Sequence, residues 1–200
     1  MFICIEGNIG SGKSTLAKAL AKKLKGTYLP EQFEENTLLP MFYNDSKTFA
    51  FPTEYSFLID RQKQLTTYFK SIKKNEITIS DFHFDKCICF AKANLQTKDF
   101  AFFKKHFKPL KKTIPIPNLI VYLDTTTPLL LENIKKRGRL IEKNLKETYL
   151  ERLKKSLDNY YLYDGNVKTL VLILTIKEYN ETTIDICCKE ITEIIEKTKK

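Results

Sequence analysis

The feature that most constrains this chain is a glycine-rich segment near its beginning. Residues 7–14 read Gly-Asn-Ile-Gly-Ser-Gly-Lys-Ser and fill every fixed position of the phosphate-loop pattern G-x-x-x-x-G-K-[ST]. The apolar run 2–5 precedes the segment, and the residues from Thr15 onward alternate apolar and polar positions at helical spacing. A strand, a loop and a helix in this order are the context that the pattern requires, so we expect a polyphosphate to bind here.

The residue types of this loop suit a nucleoside triphosphate. Glycines let successive backbone N–H groups point at phosphate oxygens, and the N-terminus of the next helix adds partial positive charge. Lys13 is placed to reach the β and γ phosphates, and the Ser14 hydroxyl is placed to hold Mg²⁺ against them. We therefore expect Mg²⁺ with ATP, or another triphosphate donor, as the ligand. The predicted ATP-binding residues are Gly7, Asn8, Ile9, Gly10, Ser11, Gly12, Lys13, Ser14 and Thr15.

Length and composition favour one domain over residues 1–200. The chain is 42% hydrophobic, which is enough for one core, and no linker or repeat interrupts it. No apolar run is long enough for a membrane span, and residues 1–6 fit a strand better than a cleavable leader, so we expect a cytoplasmic protein. The net charge of +10 lies mainly on lysine clusters. We interpret these clusters as solvated surface, with weak nucleic-acid binding as the less favoured alternative.

Cysteine usage agrees with a reducing compartment. The five cysteines show no spacing typical of a metal site, and most have apolar neighbours. We expect them to be reduced thiols in or near the core. The cysteines lie at positions 4, 87, 89, 187 and 188.

Strand-like and helix-like segments alternate along the chain. Such alternation predicts an α/β fold with a five-stranded parallel sheet flanked by helices. The predicted strands are 2–6, Thr27–Leu29, 77–80, 119–123 and 169–174, and the predicted helices are 13–25, 50–73, 83–96, 98–107, 127–136, 146–161 and 181–197. Because ligands of such sheets bind outside the carboxyl ends of the strands, the residues just after each strand are the site candidates.

Two acidic residues follow predicted strands in this way. Glu31 comes after the second strand, and Asp81 comes after the third. A carboxylate beside the phosphate loop could accept the proton of a sugar hydroxyl as that hydroxyl attacks the γ phosphate. The alternative for either acid is a helix cap or a solvated loop residue.

The order of motifs resembles the deoxynucleoside kinase family, and within it the bacterial deoxyadenosine and deoxyguanosine kinase branch. The most specific matches are the segment 6–15, Glu-Gly-Asn-Ile-Gly-Ser-Gly-Lys-Ser-Thr, and the segment 137–139, Arg-Gly-Arg. The other matching residues, spread over nearly the whole chain, are 2–5, 29–31, Asn36, Leu39, Phe42, Tyr43, Phe57, Leu58, Arg61, 90–92, Asn94, Leu95, 121–123, Glu142, Tyr149 and Leu150.

This resemblance implies a P-loop kinase fold with a short lid at about 135–146. It further implies that Glu31 is the general base on the 5′-hydroxyl of a deoxynucleoside, while Tyr43 and Glu142 hold the 3′-hydroxyl. Arg137 and Arg139 of the lid would then join Lys13 in stabilising the transferring phosphoryl group. An alternative for the two arginines is a basic helix end that compensates the helix dipole. Relatives of this kind are typically homodimers, which implies a contact through the helices 50–73 and 83–96.

The chain departs from the family pattern after the third strand. Many relatives carry an acid-Arg-Ser triplet there, whose acid helps to organise Mg²⁺, but residues 79–83 read Ile-Ser-Asp-Phe-His. The arginine is absent, and either Asp81 or Ser80 takes the place of the acid. We interpret His83 as a residue that leads into the next helix rather than as a catalyst.

A second departure concerns the expected base-binding position. Glu54 stands where relatives commonly carry a glutamine. A carboxylate only accepts hydrogen bonds, so it favours bases whose edges donate, such as adenine, cytosine and guanine, and disfavours thymine. The alternative is that Glu54 points to solvent. Four aromatic residues are candidates for a slot around the base, namely Phe33, Phe42, Phe57 and Phe84.

We therefore expect ATP-dependent phosphorylation of a deoxynucleoside 5′-hydroxyl in nucleotide salvage. Deoxyadenosine is favoured, with other purine deoxynucleosides or deoxycytidine as further candidates. The first alternative is a nucleoside monophosphate kinase such as thymidylate kinase. Its acceptor carries a charged phosphate that arginines would have to bind, and Arg61 is the single arginine in residues 27–80. The second alternative is a P-loop ATPase or a nucleic-acid-associated switch, for which Asp124 would be the acid after a buried strand.

Overall fold

The structure is a computed structural model that describes residues 1–73, 76–163 and 167–198. Its strands are β1 (Phe2–Gly7), β2 (Thr27–Leu29), β3 (Thr78–Ser80), β4 (Leu119–Thr125) and β5 (Val171–Ile176). Its helices are α1 (Lys13–Lys23), α2 (Leu39–Asn44), α3 (Ser46–Ser71), α4 (Lys86–Asn94), α5 (Thr97–Lys111), α6 (Thr127–Arg137), α7 (Glu147–Asp158) and α8 (Glu181–Thr198). A 3₁₀ turn covers Leu140–Glu142, and a π turn covers Asn159–Tyr163.

The five strands form one parallel sheet in the order β2-β3-β1-β4-β5. The predicted sheet and its five strands are therefore confirmed. Strand β1 lies at the centre and is buried on both faces. This burial explains its continuous apolar run, because a central parallel strand is covered by helices above and below.

Alternate residues of the central strands face two different cores. On one face, Cys4 and Tyr122 pack with α3, α4 and α5, and on the other face Ile5 and Val121 pack with α1 and α8. Leu20 of α1 is fully buried in the second core. The two cores hold the sheet rigidly, so its carboxyl edge is a fixed platform for the residues that follow the strands.

Several predicted element boundaries are wrong. Helix α3 begins at Ser46 rather than at 50, because the Asp45 side chain caps it by accepting from the Thr48 N–H at 3.2 Å. The short helix α2 was not predicted. Helix α5 continues to Lys111 through Pro109, where we expected an end at 107, since a proline removes only one hydrogen bond from the last turns.

The helix predicted at 83–96 begins later, at Lys86. The backbone N–H of His83 donates to the buried Glu6 carboxylate at 3.0 Å, so residues 83–85 form a turn before the helix. The strand predicted at 169–174 is displaced to Val171–Ile176, where it pairs with β4 from Ile120 to Thr125. Pairing with a neighbour, which the local pattern does not contain, decides these limits.

All five cysteines are buried and unpaired, as expected for reduced thiols. Within the described residues, no helix is both long enough and apolar enough to cross a membrane.

Candidate active site

The phosphate loop joins β1 to α1 at the carboxyl edge of the sheet. Gly10 and Gly12 have φ values of 83° and 84°, a region that side chains other than glycine rarely adopt. A Cβ atom on Gly10 would also lie 2.7 Å from the carbonyl oxygen of Leu130. The Asn8 side chain ties the loop to α7 by donating to the Leu150 carbonyl at 2.8 Å. The loop is thus held open in the conformation that a polyphosphate requires.

Lys13 folds back over this loop and donates to the Asn8 carbonyl at 2.7 Å. Burial, together with the nearby charge of Lys86, lowers the pKa of the Lys13 amine to about 8. A bound phosphate would add negative charge beside this amine and favour its protonated form.

Asp81 at the end of β3 connects the loop to the acceptor side. Its Oδ2 accepts from the Ser14 hydroxyl at 2.5 Å and from the Tyr28 hydroxyl at 2.7 Å, and its Oδ1 accepts from the Glu31 N–H at 2.7 Å. Ser80, the alternative, is fully buried and donates to the Phe82 carbonyl at 2.5 Å. Of these two residues, Asp81 therefore stands beside the phosphate loop.

Glu31 lies next to this group, with only 10% of its side chain exposed. Its Oε1 accepts from Arg61 Nε at 2.7 Å and Nη2 at 2.6 Å, and its Oε2 accepts from Lys86 Nζ at 2.6 Å. Burial alone would raise the pKa of the Glu31 carboxyl, but the charges of Lys86 and Arg61 together lower it to about 2. Glu31 is therefore ionised at neutral pH.

Lys86 is a site residue that the sequence reasoning missed. It belongs to α4 and is 6% exposed. It shares the Glu31 carboxylate with the second cation, Arg61. A signal was available, because Lys86 directly precedes the apolar run 87–91, where a charged residue is unusual without a partner.

Glu54 lies at the far end of the same cleft and is 2% exposed. This position agrees with the prediction that Glu54 faces the binding cleft, and the alternative that its side chain points to solvent is wrong. Its Oε1 accepts from Asn94 Nδ2 at 2.7 Å, while its Oε2 is buried without a partner among the described residues. Burial outweighs the Asn94 hydrogen bond and raises the pKa of Glu54 to about 7.

The segment between α6 and α7 closes one side of the cleft. Helix α6 ends at Arg137, and Gly138 follows in the left-handed conformation with φ 69°. Arg137 Nη2 donates to Glu142 Oε2 at 2.5 Å, and Arg139 Nη1 lies 3.6 Å from Glu142 Oε1. The Arg139 guanidinium also covers the Phe33 ring at 4.5 Å. Both predicted arginines thus face the cleft across one carboxylate.

Aromatic side chains form much of the remaining wall. Phe33, Phe42 and Phe57 line the cleft, as expected. The prediction for Phe84 is wrong, because this ring is 1% exposed and stacks on Phe107 in the core. Sequence reasoning missed Phe90, which lines the cleft instead.

Tyr43 and Tyr149 are neighbouring aromatic residues on the opposite wall, with ring centroids 6.5 Å apart. Burial and the nearby charge of Glu142 raise the pKa of Tyr43, so its hydroxyl is a neutral donor. His83, in contrast, does not line the cleft; its Nδ1 lies 3.2 Å from the Tyr161 hydroxyl in the core.

The structure brings most of the predicted site residues into this one cleft. The predicted residues that line it are Ile9, Gly10, Lys13, Ser14, Glu31, Tyr43, Glu54, Asp81, Arg137, Arg139 and Glu142. Gly7, Asn8, Ser11, Gly12 and Thr15 belong to the loop and the first turn of α1 without lining the cleft. The Tyr179 hydroxyl donates to the Gly12 carbonyl, and the Tyr179 ring covers that glycine.

A phosphate loop, a buried ionised carboxylate beside it and two arginines opposite define the site of a P-loop phosphotransferase. The family model for deoxynucleoside kinase matches residues 3–198, so the chain belongs to the deoxynucleoside kinase family. It is a nucleotide-dependent kinase of deoxynucleosides, as the sequence predicts. This assignment does not support the monophosphate kinase and ATPase alternatives.

Curated relatives agree with this family. The chain is 40% identical to deoxyguanosine kinase of Bacillus subtilis (strain 168) over 153 residues, which cover 76% of the chain and 74% of the relative. It is 27% identical to deoxyadenosine/deoxycytidine kinase of the same organism over 213 residues, which cover 99% of the chain and 94% of the relative. These relatives support the bacterial branch that the motifs indicate.

Solved structures confirm the predicted P-loop kinase fold. A structure of deoxyadenosine kinase from M. mycoides with the products dCMP and a flexible dCDP superposes with a TM-score of 0.84 and 25% identity, covering 96% of this chain and 100% of that one. A structure of the same kinase with bound dATP gives the same TM-score, identity and coverage.

Proposed function

We propose that this protein transfers the γ phosphoryl group of ATP, bound with Mg²⁺, to the 5′-hydroxyl of a purine deoxynucleoside. The observation that carries the proposal is the buried Glu31 carboxylate, which two cations keep ionised directly beside the phosphate loop. An ionised acid in this position suits a neutral hydroxyl as acceptor, because the hydroxyl must lose a proton to become a nucleophile.

Glu31 acts as the general base in this proposal. It takes the proton of the 5′-hydroxyl while the 5′-oxygen forms a bond to the γ phosphorus, and the bond from that phosphorus to the β-phosphate oxygen breaks to release ADP. Arg61 and Lys86 each occupy one direction of the carboxylate, so they fix its orientation toward the acceptor. The electrostatic attraction of these cations also keeps the carboxylate unprotonated before the reaction.

The cations of the cleft stabilise the phosphate charge. Lys13 binds the β and γ phosphates, and Arg137 and Arg139 approach the transferring group from the lid at about 135–146. The close oxygens of Ser14 and Asp81 fit the hard oxygen ligands that Mg²⁺ prefers, so these two residues would hold it, Asp81 through water. When bound, Mg²⁺ supplies charge neutralisation between the β and γ phosphates.

The sugar is held on the wall opposite Glu31. The Tyr43 hydroxyl donates to the 3′-hydroxyl, and a Glu142 oxygen accepts from it. Glu142 is 5% exposed and fixed by Arg137, so its position is already set before the nucleoside enters. This pair selects nucleosides that carry a free 3′-hydroxyl.

The acceptor base is a purine in this proposal. The named relatives include deoxyguanosine and deoxyadenosine kinases, and the sequence alone favours deoxyadenosine. The Glu54 carboxylate supports a base with donors on its edge, which excludes thymine as a good substrate.

We also propose a cytoplasmic homodimer. Buried, unpaired cysteines support a reducing compartment. Within the chain, α4 packs against α3, α5 and α7, which leaves little of the expected contact through residues 83–96 for a second copy. The exposed side chains of Ile59 on α3 and Phe102 on α5 support a contact through these two helices instead.

The test is an assay with radiolabelled ATP and Mg²⁺ against four deoxynucleosides and their monophosphates. We expect 5′-phosphorylation of a purine deoxynucleoside, with kcat reduced by about 10²–10⁴ in Glu31→Gln. Glu35→Gln, a change of an exposed glutamate nearby, is the matched control and should keep full activity. Phosphorylation of monophosphates only, or activity that is indifferent to Glu31→Gln, would refute the proposal.

A further inference from the structure

Glu54, which lines the cleft, and its hydrogen-bonded neighbour Asn94 each carry a buried acceptor that lacks a donor. Oε2 of Glu54 and Oδ1 of Asn94 have no hydrogen-bond partner among the described residues. The two residues are joined, because Asn94 Nδ2 donates to Glu54 Oε1 at 2.7 Å. A buried acceptor without a donor destabilises a protein, so its presence in a ligand cleft indicates that the ligand supplies the donor.

The nearby cations are committed to other groups. Arg61 donates to Glu31 and to Cys87 Sγ, the latter at 3.3 Å, and Lys86 donates to Glu31. Among the described residues, no cation forms an ion pair with Glu54. The protein therefore leaves this carboxylate for a ligand.

The distance along α3 places Glu54 where a base would lie. Glu54 precedes Arg61 by seven residues, which is about 10 Å along the helix axis. Arg61 holds Glu31, the proposed general base for the 5′-hydroxyl of the nucleoside. The Phe57 ring lines the cleft between them, with the Arg61 guanidinium 4.5 Å above it. A nucleoside whose 5′-hydroxyl meets Glu31 therefore directs its base toward Glu54.

We propose that Glu54, held by Asn94, reads the base edge, and that the charge on Glu54 decides which purine is accepted: the ionised carboxylate selects guanine, and the protonated acid accepts adenine. This inference rests on the proposed function. Guanine offers N1–H and an adjacent amino group, which are donors only, and these match the two acceptor oxygens of an ionised Glu54. Adenine offers the N6 amino group beside the acceptor N1, so it needs a proton on the carboxyl group.

Both forms of Glu54 are populated near neutral pH. Burial raises the pKa of this carboxyl to about 7, against the hydrogen bond from Asn94 and the charges of Arg61 and Lys86. The other titratable groups that face it are Tyr43 on α2, Cys87 on α4 and Tyr149 on α7, and burial raises the pKa of each of them. They stay neutral between pH 6 and 8, so Glu54 is the group that changes charge at this end of the cleft.

The experiment is a competition between deoxyguanosine and deoxyadenosine at fixed MgATP from pH 6 to 8. The measured quantity is the ratio of their kcat/KM values, because titrations common to both substrates, such as that of Lys13, cancel in a ratio. We expect the ratio to rise toward guanine by up to about tenfold per pH unit, since one proton separates the two forms. In Glu54→Gln the ratio should be independent of pH, and adenine should gain relative to guanine. Glu190→Gln, which changes an exposed residue of α8, should keep the wild-type slope.

A second measurement separates this inference from the proposed function. Binding of the two deoxynucleosides without ATP is measured by calorimetry over the same pH range, with the same expected change in the ratio of affinities. A ratio that does not vary with pH in the wild type, or a slope that persists in Glu54→Gln, overturns the inference. Failure to phosphorylate any deoxynucleoside overturns the proposed function, while the calorimetric ratio still decides the role of Glu54.

Discussion

The buried Glu54 carboxylate should make the ligand-free protein less stable as the pH rises. Its pKa is about 7 in the folded chain, against an ordinary value of 4.5. An acid with a raised pKa is protonated more readily in the folded state, so its favourable contribution is complete below pH 4.5 and is lost as the pH rises through 7. The shift of about 2.5 pKa units corresponds to about 3 kcal/mol of lost stability once the group is ionised in both states.

Glu54→Gln removes this titration while keeping the shape of the side chain. The variant should be more stable than the wild type by about 1 kcal/mol at pH 5 and by about 3 kcal/mol at pH 8, from proton linkage alone. The assay is urea unfolding followed by circular dichroism at pH 5, 6, 7 and 8, with the exposed Glu190→Gln as control. A stability difference that stays constant from pH 5 to pH 8 would refute the reasoning, because it would show that Glu54 has an ordinary pKa.

Three further predictions concern the phosphate end and the sugar wall. Lys86→Met should raise the pKa of Glu31 and move the acid limb of the kcat/KM pH profile to higher pH, whereas Lys86→Arg should leave that limb in place. Equal pH profiles for the wild type and both variants would contradict the pairing of Lys86 with Glu31. Because the pKa of Lys13 is about 8, the Kd for MgATP should rise above pH 8 as the amine loses its charge, and calorimetry should show no such rise in Lys13→Met. Glu142→Gln should raise the KM for the deoxynucleoside about tenfold, by loss of a charge-assisted hydrogen bond and of the ion pair with Arg137, while an unchanged steady-state KM would exclude this role.

The phosphate-binding part of the site could be predicted from the sequence because its residues follow one another in the chain. The loop 7–14 needs only neighbouring residues to form its turn, and β1 and α1 on either side are recognisable from their periodicity. Glu31 and Asp81 could be placed because each lies within two residues of the end of a strand, and parallel strands end at the same edge.

Local patterns were less informative about helix limits and aromatic side chains. The sequence makes Phe84 and Phe57 equal candidates for the cleft wall, but packing against Phe107 buries Phe84 in the core. Helix α4 starts three residues later than its apolar pattern predicts, because the N–H of His83 is bonded to Glu6, which is far away along the chain. Such outcomes depend on which element each residue meets.

The sequence by itself determined the family, the parallel sheet and the phosphate-binding loop, since these depend on local periodicity and on one contiguous motif. The tertiary structure alone decided the electrostatic state of the acceptor side. It brings Lys86 to Glu31 and Asn94 to Glu54 across 55 and 40 residues of chain, and it buries both carboxylates. Glu31 and Glu54 thereby acquire pKa values of about 2 and about 7, because Glu31 lies between two cations, whereas at Glu54 burial outweighs the charges of those cations.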